Sequence, residues 1–540
     1  MRTRSTIALG VAAVAAFASV GPVATAATKA KPKVFVDLQN FAAGEPDHID
    51  PAITTTLTGI QVTGLIYDTL TDTAASGDLV GGAATKWTTA DSGKTWVFTL
   101  RKGAKFSNGE LVTPTHFVKS WVRATDAKIA SEVAYHSYLI QGFEAWNTGK
   151  GPAPTSVVAN DKANTLTVSL NIPFSGFPAV ASHPVFSPVP KAMWTADGKV
   201  EESGTSLIGN GPYMLKKQIT KQPGGEIVLI RNPKYTGKKG TLDEIQFKIN
   251  KDVAAVYNAF ESGQGLSSPV PPGRFKEASA KYGDRGLKPV LGIDFWGLRY
   301  DDPIIGGPKN VKLRTAIVKA VDRAQISEAI YQGQRAPTDQ LVPPGIPGRA
   351  TGIGATGGKL RDLDGAKADF AAWKAAGNEL KAPLRLSFNE GAGWDKVATI
   401  MIGNLKEVGI DAALDQFPAD GTYFTKMREG KGQIMRLGWF ADYTLQDNFL
   451  FPLLHKDAIG GDNASAYNNE KFNALVDQAR ATADPKAAAA LYVQAEKLAL
   501  EEGAVMPITV RANNIVFAAS VKSIPINPLG YIFYDQVILA

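Results

Sequence analysis

The chain contains no cysteine among its 540 residues. This excludes a disulfide framework, a thiolate metal site, a cysteine nucleophile and a lipid anchor attached through an N-terminal cysteine. Apolar packing must therefore stabilise the fold. The length permits this, because about 150 residues per domain suggests roughly two to four domains with ample cores. A content of 44% hydrophobic and 20% charged residues is typical of an ordinary globular protein.

The first 26 residues have the pattern of a secretory signal peptide. Arg2 and Arg4 form a positively charged start, an apolar, Ala-rich stretch covers 7–20, and residues 24–26 read Ala-Thr-Ala, which a signal peptidase accepts. The alternative is an N-terminal membrane anchor, but the apolar stretch is too short to span a bilayer. We expect an exported protein with no transmembrane segment, either periplasmic, associated with the cell wall or released.

The charge pattern does not indicate nucleic acid as a partner. The formal net charge is +7, and two of the basic residues belong to the predicted signal peptide. No basic run is dense enough for a phosphate-binding surface. The histidines are also too far apart for a local metal motif, so we expect neither a metal nor a cofactor. They are His48, His116, His136, His183 and His455.

Motifs of nucleotide-binding or catalytic sites are badly placed or absent. Residues 352–357 fit G-x-G-x-x-G, but they follow the proline-rich segment 343–348, which cannot be the buried strand that a dinucleotide loop requires. We therefore interpret 352–357 as a surface loop. The chain has no G-x-S-x-G elbow and no H-E-x-x-H motif. A secreted hydrolase whose site is built from residues distant in sequence remains an alternative.

Hydrophobic periodicity predicts both strands and helices. In 94–100 the apolar residues alternate, which predicts a strand with one buried face. Residues 313–330 carry apolar side chains near one helical face, and Gly333 ends that run. A second helical stripe over 394–408 leads directly into a strand-like segment at 410–414. This order of helix, turn and strand predicts mixed α/β domains. Further strands are predicted over 165–170, 227–230 and 243–249, and a helix is predicted to begin at Asp484-Pro485.

Several motifs, taken together and in order, resemble a known family. Residues 45–51 read E-P-D-H-I-D-P, residues 209–213 read G-N-G-P-Y, residues 341–345 read L-V-P-P-G and residues 438–443 read G-W-F-A-D-Y. The block 91–123 resembles the most recognisable stretch of the same family. The chain is similar, along essentially its whole length after the signal peptide, to bacterial extracellular solute-binding protein family 5. This family contains the oligopeptide- and dipeptide-binding proteins of ABC importers.

The resemblance implies an α/β fold of the periplasmic-binding-protein type, two-lobed (class II, cluster C), with an extra domain and a hinge between the lobes. It implies a monomer without enzymatic activity that captures a peptide and delivers it to a membrane ABC permease. The alternative within the same fold is a non-peptide solute, such as an oligosaccharide or a metal chelate. By resemblance, lobe I covers 27–57, 191–293 and 509–540, the extra domain covers 58–190, lobe III covers 294–508, and the hinge strands lie near 292–298 and 507–512.

The resemblance also suggests how individual residues bind the ligand. Asp442 would pair with the α-ammonium of the peptide, since a desolvated ammonium requires a carboxylate. Arg436 would bind the terminal carboxylate through its planar guanidinium. Gly438 and Phe440 would pair with the peptide backbone as with an added strand. Trp439 would line a side-chain pocket or fill the core. The structural alternatives are a turn-capping role for Asp442 and a solvated strand position for Arg436.

Two further residues are weaker candidates, and two positions depart from the family pattern. Glu45 resembles a residue that faces the cleft, and Arg428 is a second candidate for the ligand carboxylate. After the A-D-Y motif, peptide binders often carry a proline, but here the run is 444–447, Thr-Leu-Gln-Asp. Near position 394, where family members often hold a histidine, this chain has tryptophan. These departures affect the expected length and side-chain preference of the ligand.

Overall fold

The computed structural model describes residues 31–41, 48–194, 207–217, 219, 224–250, 252–391, 393–418 and 422–540. The predicted signal peptide and Glu45 lie outside the described residues. No described helix combines the length and apolar composition that a membrane crossing requires. Strands and helices are numbered in chain order.

The first sheet has six described strands in the order β17-β11-β1-β10-β9-β8. β1 runs parallel to β10 and β11, whereas β9 is antiparallel to both β8 and β10. The chain returns to this sheet only near its end, through β17. The strands are β1 (Val34–Phe41), β8 (Tyr213–Leu215), β9 (Glu226–Arg231), β10 (Glu244–Ile249), β11 (Ser267–Pro269) and β17 (Ile515–Phe517).

The second sheet contains the strand that carries most of the predicted site. Its described strands have the order β14-β13-β15-β12-β16, in which β13 is parallel to β14 and β15, and β12 is antiparallel to β15 and β16. The strands are β12 (Pro289–Leu298), β13 (Leu384–Asn389), β14 (Ala412–Phe417), β15 (Ile434–Phe440) and β16 (Val505–Ala512). Both predicted hinge segments lie in paired strands, β12 and β16. The domain boundaries themselves stay a prediction.

A third, antiparallel sheet has the described strand order β4-β5-β7-β6. Its strands are β4 (Ala84–Thr89), β5 (Thr95–Leu100), β6 (Val157–Asn160) and β7 (Thr165–Ser169). Two small pairs complete the described strands: β2 (Thr71–Thr73) with β3 (Leu79–Gly81), and β18 (Val521–Ser523) with β19 (Ile538–Leu539). Alternation in β5 buries Trp96, Phe98 and Leu100, as the sequence predicts.

Helices connect and cover these sheets. The described α-helices are α1 (Leu57–Ile66), α2 (Pro114–Ala124), α3 (Phe143–Asn147), α4 (Phe177–Val180), α5 (Val253–Glu261), α6 (Phe275–Tyr282), α7 (Val311–Ala320), α8 (Arg323–Tyr331), α9 (Leu363–Ala375), α10 (Trp394–Lys406), α11 (Tyr423–Arg428), α12 (Asp447–Leu454), α13 (Glu470–Ala481) and α14 (Pro485–Glu501). Short 3-10 turns lie at Ala127–Ile129, Ala134–Ser137, Pro184–Phe186, Lys191–Met193, Pro308–Asn310, Lys456–Ala458 and Tyr534–Gln536.

The apolar run over 313–330 forms two helices, so the single helix predicted from its periodicity is wrong. After α7, Val321 adopts an extended backbone with φ −73° and ψ 124°. Asp322 then caps α8, because its side chain accepts the backbone N–H of Gln325 at 2.9 Å. An aspartate at an N-cap position outweighs the apolar periodicity that continues through it.

Other local predictions are confirmed. The helix predicted at Asp484-Pro485 is α14, and the Asp484 side chain accepts the backbone N–H of Ala487 at 2.7 Å. The strand predicted at 410–414 begins at Ala412 and extends to Phe417. Residues 352–357 lie in bends and turns; among the described residues no strand ends directly before them and no helix begins directly after them, which agrees with the loop interpretation.

The core beneath the second sheet supports the site. One face of β12 and β15 contributes Ile293, Phe295 and Leu437 to an apolar cluster with Phe449 of α12 and Tyr492 of α14. The opposite face of β12 carries a buried carboxylate in an otherwise apolar stretch, Asp294, which lies opposite Gly438 of β15 in the strand register. Residues around Gly438 are therefore held by a packed core on one face and by charged groups on the other.

Candidate ligand-binding site

β15 presents an open edge along the part of the strand that the sequence singled out. β13 pairs with β15 only at Ile434 and Met435 among the described residues. The hydroxyl of Tyr423 bridges the carbonyl oxygens of Ser387 (2.8 Å) and Arg436 (3.0 Å), so the Arg436 carbonyl faces the β13 side.

Because backbone groups in a strand alternate between its two edges, Gly438 and Phe440 direct their N–H and C=O groups to the same side as Arg436. Residues 437, 439 and 441 face β12 instead, as the hydrogen bond from Ala441 N to Leu291 O (2.7 Å) shows. An extended peptide backbone has the shape and hydrogen-bonding pattern to pair with this edge.

A cavity of about 420 Å³ lies along the open edge. Six of the seven residues predicted to contact the ligand line it, and the seventh, Glu45, lies outside the described residues. The six are Arg428, Arg436, Gly438, Trp439, Phe440 and Asp442. The structure brings these residues together around one cavity, while their roles toward a ligand remain predictions.

One end of the cavity is acidic and centres on Asp442. Its side chain is 14% exposed, and its Oδ2 accepts a hydrogen bond from Asn448 Nδ2 at 2.8 Å. Burial raises the pKa of Asp442 to about 7, although the Asn448 hydrogen bond lowers it, and the nearby Asp462 raises it further. Among the described residues, no lysine or arginine lies within ion-pairing distance of this carboxylate. The ring of His136 lies 3.8 Å from its Oδ2, but burial lowers the pKa of His136, so this ring is neutral.

Asn448 holds the Asp442 carboxylate in position, and sequence reasoning missed it. Its Oδ1 accepts the backbone N–H of Asp442 at 2.8 Å and the indole N–H of Trp439 at 3.0 Å. Trp439 is half-buried, packs against the core cluster and also lines the cavity. Its position therefore agrees with both expectations from the sequence, a residue that lines a side-chain pocket and a residue that fills the core. The signal in the sequence that could have identified Asn448 is an amide a few residues after the motif, at the start of α12.

Asp442 also belongs to a group of two histidines and one carboxylate, although neither histidine lines this cavity. His136, His183 and Asp442 have ligand atoms that all lie within 4.8 Å of one another, and the two imidazole rings stack at 4.1 Å. However, Nδ1 of His183 accepts the backbone N–H of Val185 at 3.2 Å. Neutral His183 therefore carries its proton on Nε2, and neither of its nitrogens has a free lone pair for a metal. The donor set does not fit a metal ion.

Arg428 lies beside acidic side chains as well. Its Nη1 is 2.9 Å from Glu132 Oε2, and its Nη2 is 3.6 Å from Asp462 Oδ1. Two carboxylates of the chain itself thus compensate this guanidinium. As a result, Arg428 is a weaker candidate than Arg436 for binding a ligand carboxylate.

The other end of the cavity is cationic and begins at Arg436. Its guanidinium lies 4.1 Å from the ring centre of Trp394 and 5.6 Å from that of Phe424. Burial lowers the pKa of Arg436 to about 10, and repulsion from Arg511 adds to the effect, while Asp294 opposes it. The Trp394 ring therefore gives the guanidinium a flat aromatic surface to lie against.

Arg511 of β16 is a second cation at this end, and the sequence analysis did not identify it. Its Nη2 lies 2.8 Å from Asp294 Oδ1, and its guanidinium lies 4.5 Å from the ring centre of Phe440. A Cβ atom at Gly438 would lie 2.1 Å from Arg511 Nη2, so glycine at this position leaves room for the guanidinium. The signal available in the sequence was that Arg511 is the one charged residue of the segment that forms β16.

Comparisons with known proteins agree with this architecture. A family model described as "Bacterial extracellular solute-binding proteins, family 5 Middle" matches residues 78–461. The oligopeptide-binding protein OppA of Bacillus subtilis (strain 168) is 27% identical over 503 residues, which cover 91% of this chain and 90% of that protein. The periplasmic murein peptide-binding protein MppA of Escherichia coli (strain K12) is 28% identical over 510 residues, which cover 93% of this chain and 92% of that protein.

A solved structure extends the similarity to the whole fold. The Escherichia coli murein tripeptide binding protein MppA aligns with a TM-score of 0.81 at 26% identity, covering 94% of this chain and 99% of that one. This alignment confirms the predicted α/β fold of the periplasmic-binding-protein type. Because the family match spans well over half of the 540 residues and the fold agrees along the chain, the chain belongs to the bacterial extracellular solute-binding proteins of family 5.

Proposed function

We propose that this protein captures peptides outside the cytoplasmic membrane and delivers them to an ABC permease. One observation carries the proposal: an open strand edge has a buried carboxylate at one end and buried guanidinium groups at the other. An extended peptide carries an ammonium group at one end and a carboxylate group at the other, so its two termini are complementary to the two ends of this edge. The names of the relatives, an oligopeptide-binding protein and a murein peptide-binding protein, support the same function.

The proposed binding mode uses groups that every peptide has. The backbone pairs with Gly438 and Phe440, the α-ammonium pairs with Asp442, and the terminal carboxylate pairs with Arg436. Asp442 and Arg436 are six residues apart, which is at most about 20 Å along an extended chain. This separation favours short peptides. Recognition through the backbone and termini tolerates different side chains.

The remaining parts of the proposal concern the whole protein. Closure of the two lobes about β12 and β16 buries the ligand, and the closed form docks on the permease. The protein is exported, acts as a monomer and carries out no catalysis, in keeping with relatives that are named as binding proteins. Its domains follow the boundaries given above.

The test is a calorimetric titration of the ligand-stripped protein with Ala-Ala-Ala, with N-acetyl-Ala-Ala-Ala and with Ala-Ala-Ala-amide. We expect the free peptide to bind, and we expect blocking of either terminus to weaken binding by at least about tenfold, since each block removes one charge-assisted pair. A bound peptide at about 100 times its dissociation constant also adds roughly 2.7 kcal/mol of stability, which thermal unfolding detects.

A pair of variants locates the ammonium site. Asp442→Asn should abolish the difference between the free and the acetylated peptide. Asp364→Asn removes the same charge from an exposed position at the start of α9, outside the cavity, and should leave binding unchanged. Equal binding of the free and acetylated peptides by the unmodified protein would contradict the assignment of Asp442, and the absence of binding by any peptide would contradict the proposed function.

A further inference from the structure

The cationic end of the cavity contains more positive charge than the chain itself compensates. Arg335 Nη1 lies 2.5 Å from Asp294 Oδ2, and Arg511 Nη2 lies 2.8 Å from Asp294 Oδ1. Arg436 is close enough to this group to lower the pKa of Asp294 together with Arg511 and Arg335, although burial alone would raise it. Three guanidinium groups thus share one carboxylate, which leaves a local charge of +2.

The described residues contain no other carboxylate within 4.0 Å of Arg436 or Arg511. The Nε atoms of Arg335, Arg436 and Arg511 are all buried without a hydrogen-bond partner in the described part of the chain. Buried cations that outnumber the carboxylates beside them are unfavourable, so this end of the cavity is complementary to an anion.

Aromatic rings lie beside two of these guanidinium groups. Arg436 lies over Trp394 at 4.1 Å and Arg511 over Phe440 at 4.5 Å, both measured from the guanidinium carbon to the ring centre. A guanidinium that stacks on an aromatic ring keeps its N–H groups in the plane of the guanidinium, at the edges. Both residues line the cavity, so these edges are accessible to a ligand.

A peptide carboxylate at Arg436 compensates only one of the two excess charges. We propose that the favoured ligands carry a second carboxylate at the same end, namely peptides whose last residue is aspartate or glutamate, and that Arg511 binds this side chain. The inference rests on the proposed function and adds to it a side-chain preference at one position. Arg511 is the residue that determines this specificity.

The experiment compares three tripeptides by calorimetric titration of the ligand-stripped protein: Ala-Ala-Glu, Ala-Ala-Gln and Glu-Ala-Ala. The first two differ only in the charge of the last side chain, and the first and third have the same net charge with the carboxylate at opposite ends. We expect Ala-Ala-Glu to bind at least about tenfold more tightly than either of the others, a difference of about 1.4 kcal/mol.

Two variants test the role of Arg511. Arg511→Gln leaves Asp294 paired with Arg335, and it should reduce the preference for Ala-Ala-Glu over Ala-Ala-Gln to within about twofold. Arg385→Gln removes a guanidinium from an exposed position on β13, outside the cavity lining, and should leave the ratio unchanged. Circular dichroism and thermal unfolding check that both variants are folded.

The outcomes separate this inference from the proposed function. Equal affinities of the unmodified protein for Ala-Ala-Glu and Ala-Ala-Gln would overturn the inference while leaving peptide binding established, and this comparison needs no variant. A preference that persists in folded Arg511→Gln would overturn the role of Arg511. If none of the three peptides binds, the proposed function fails and the inference fails with it.

Discussion

Peptide affinity should fall as the pH is lowered from 7 to 5, because the carboxyl group proposed to bind the peptide ammonium, that of Asp442, becomes protonated. Burial raises the pKa of Asp442 to about 7 in the ligand-free protein, with an opposing effect of Asn448 and a further increase from Asp462. Only the ionised carboxylate attracts an ammonium. At pH 5 a group with this pKa is ionised in roughly one molecule in a hundred, compared with about half of the molecules at pH 7.

The size of the change in affinity depends on the pKa of Asp442 in the peptide complex. A bound ammonium lowers the pKa of a buried carboxyl, here by about two to three units, so that Asp442 in the complex titrates at about 4 to 5. The dissociation constant then rises roughly 25- to 50-fold between pH 7 and pH 5, a loss of about 2 kcal/mol. The peptide termini stay charged between pH 5 and pH 7, because the α-amino group titrates at about 8 and the carboxyl group at about 3.5.

Calorimetric titrations with Ala-Ala-Ala at pH 5, 6 and 7 and constant ionic strength measure this change. At pH 6, titrations in two buffers of different ionisation enthalpy should show release of about 0.8 to 0.9 proton per peptide bound, since binding ionises Asp442. Asp442→Asn should bind weakly with no such dependence.

A change of less than about threefold between pH 7 and pH 5 would refute the reasoning. Asp72 and Glu496 also have pKa values raised to about 7 by burial. If Asp442→Asn keeps the pH dependence of the unmodified protein, another group such as these is responsible.

Three substitutions give further tests. In Gly438→Ala the new Cβ would lie 2.1 Å from Arg511 Nη2, at the far end of a flexible side chain, so we expect at least about tenfold weaker peptide binding with little change in thermal unfolding. The raised pKa of Asp442 means that its ionisation destabilises the ligand-free protein as the pH rises from 3.8 towards 7. Asp442→Asn should therefore increase the free energy of unfolding by up to about 4 kcal/mol at pH 8 and by less than half of that at pH 5, as measured by denaturant titration. Asp484→Ala removes the cap of α14 and should cost about 1 kcal/mol of stability, with peptide affinity unchanged.

Local patterns in the sequence predict much of the secondary structure. Alternation in 94–100 identifies β5 and its buried face, because side chains in a strand alternate strictly between two sides. The Asp484-Pro485 pair identifies the start of α14, since capping involves only residues within one turn. The run over 313–330 shows the limit of periodicity, because a single capping aspartate, Asp322, divides it into two helices.

The candidate site also contains residues that a local pattern predicts and residues that only strand pairing brings together. The resemblance to the family predicted Arg436, Gly438 and Asp442 from the sequence, because one strand and the turn after it carry these residues, and a contiguous motif can be recognised without knowledge of the fold. Only the tertiary structure showed that Arg511 and Asp294 lie beside Gly438. β12 and β16 are separated by some 200 residues, and the side chains of the two strands meet through pairing that no local pattern specifies. The balance of charge at the cationic end depends on these distances, so it was decided by the packing of the strands and not by the composition of the chain.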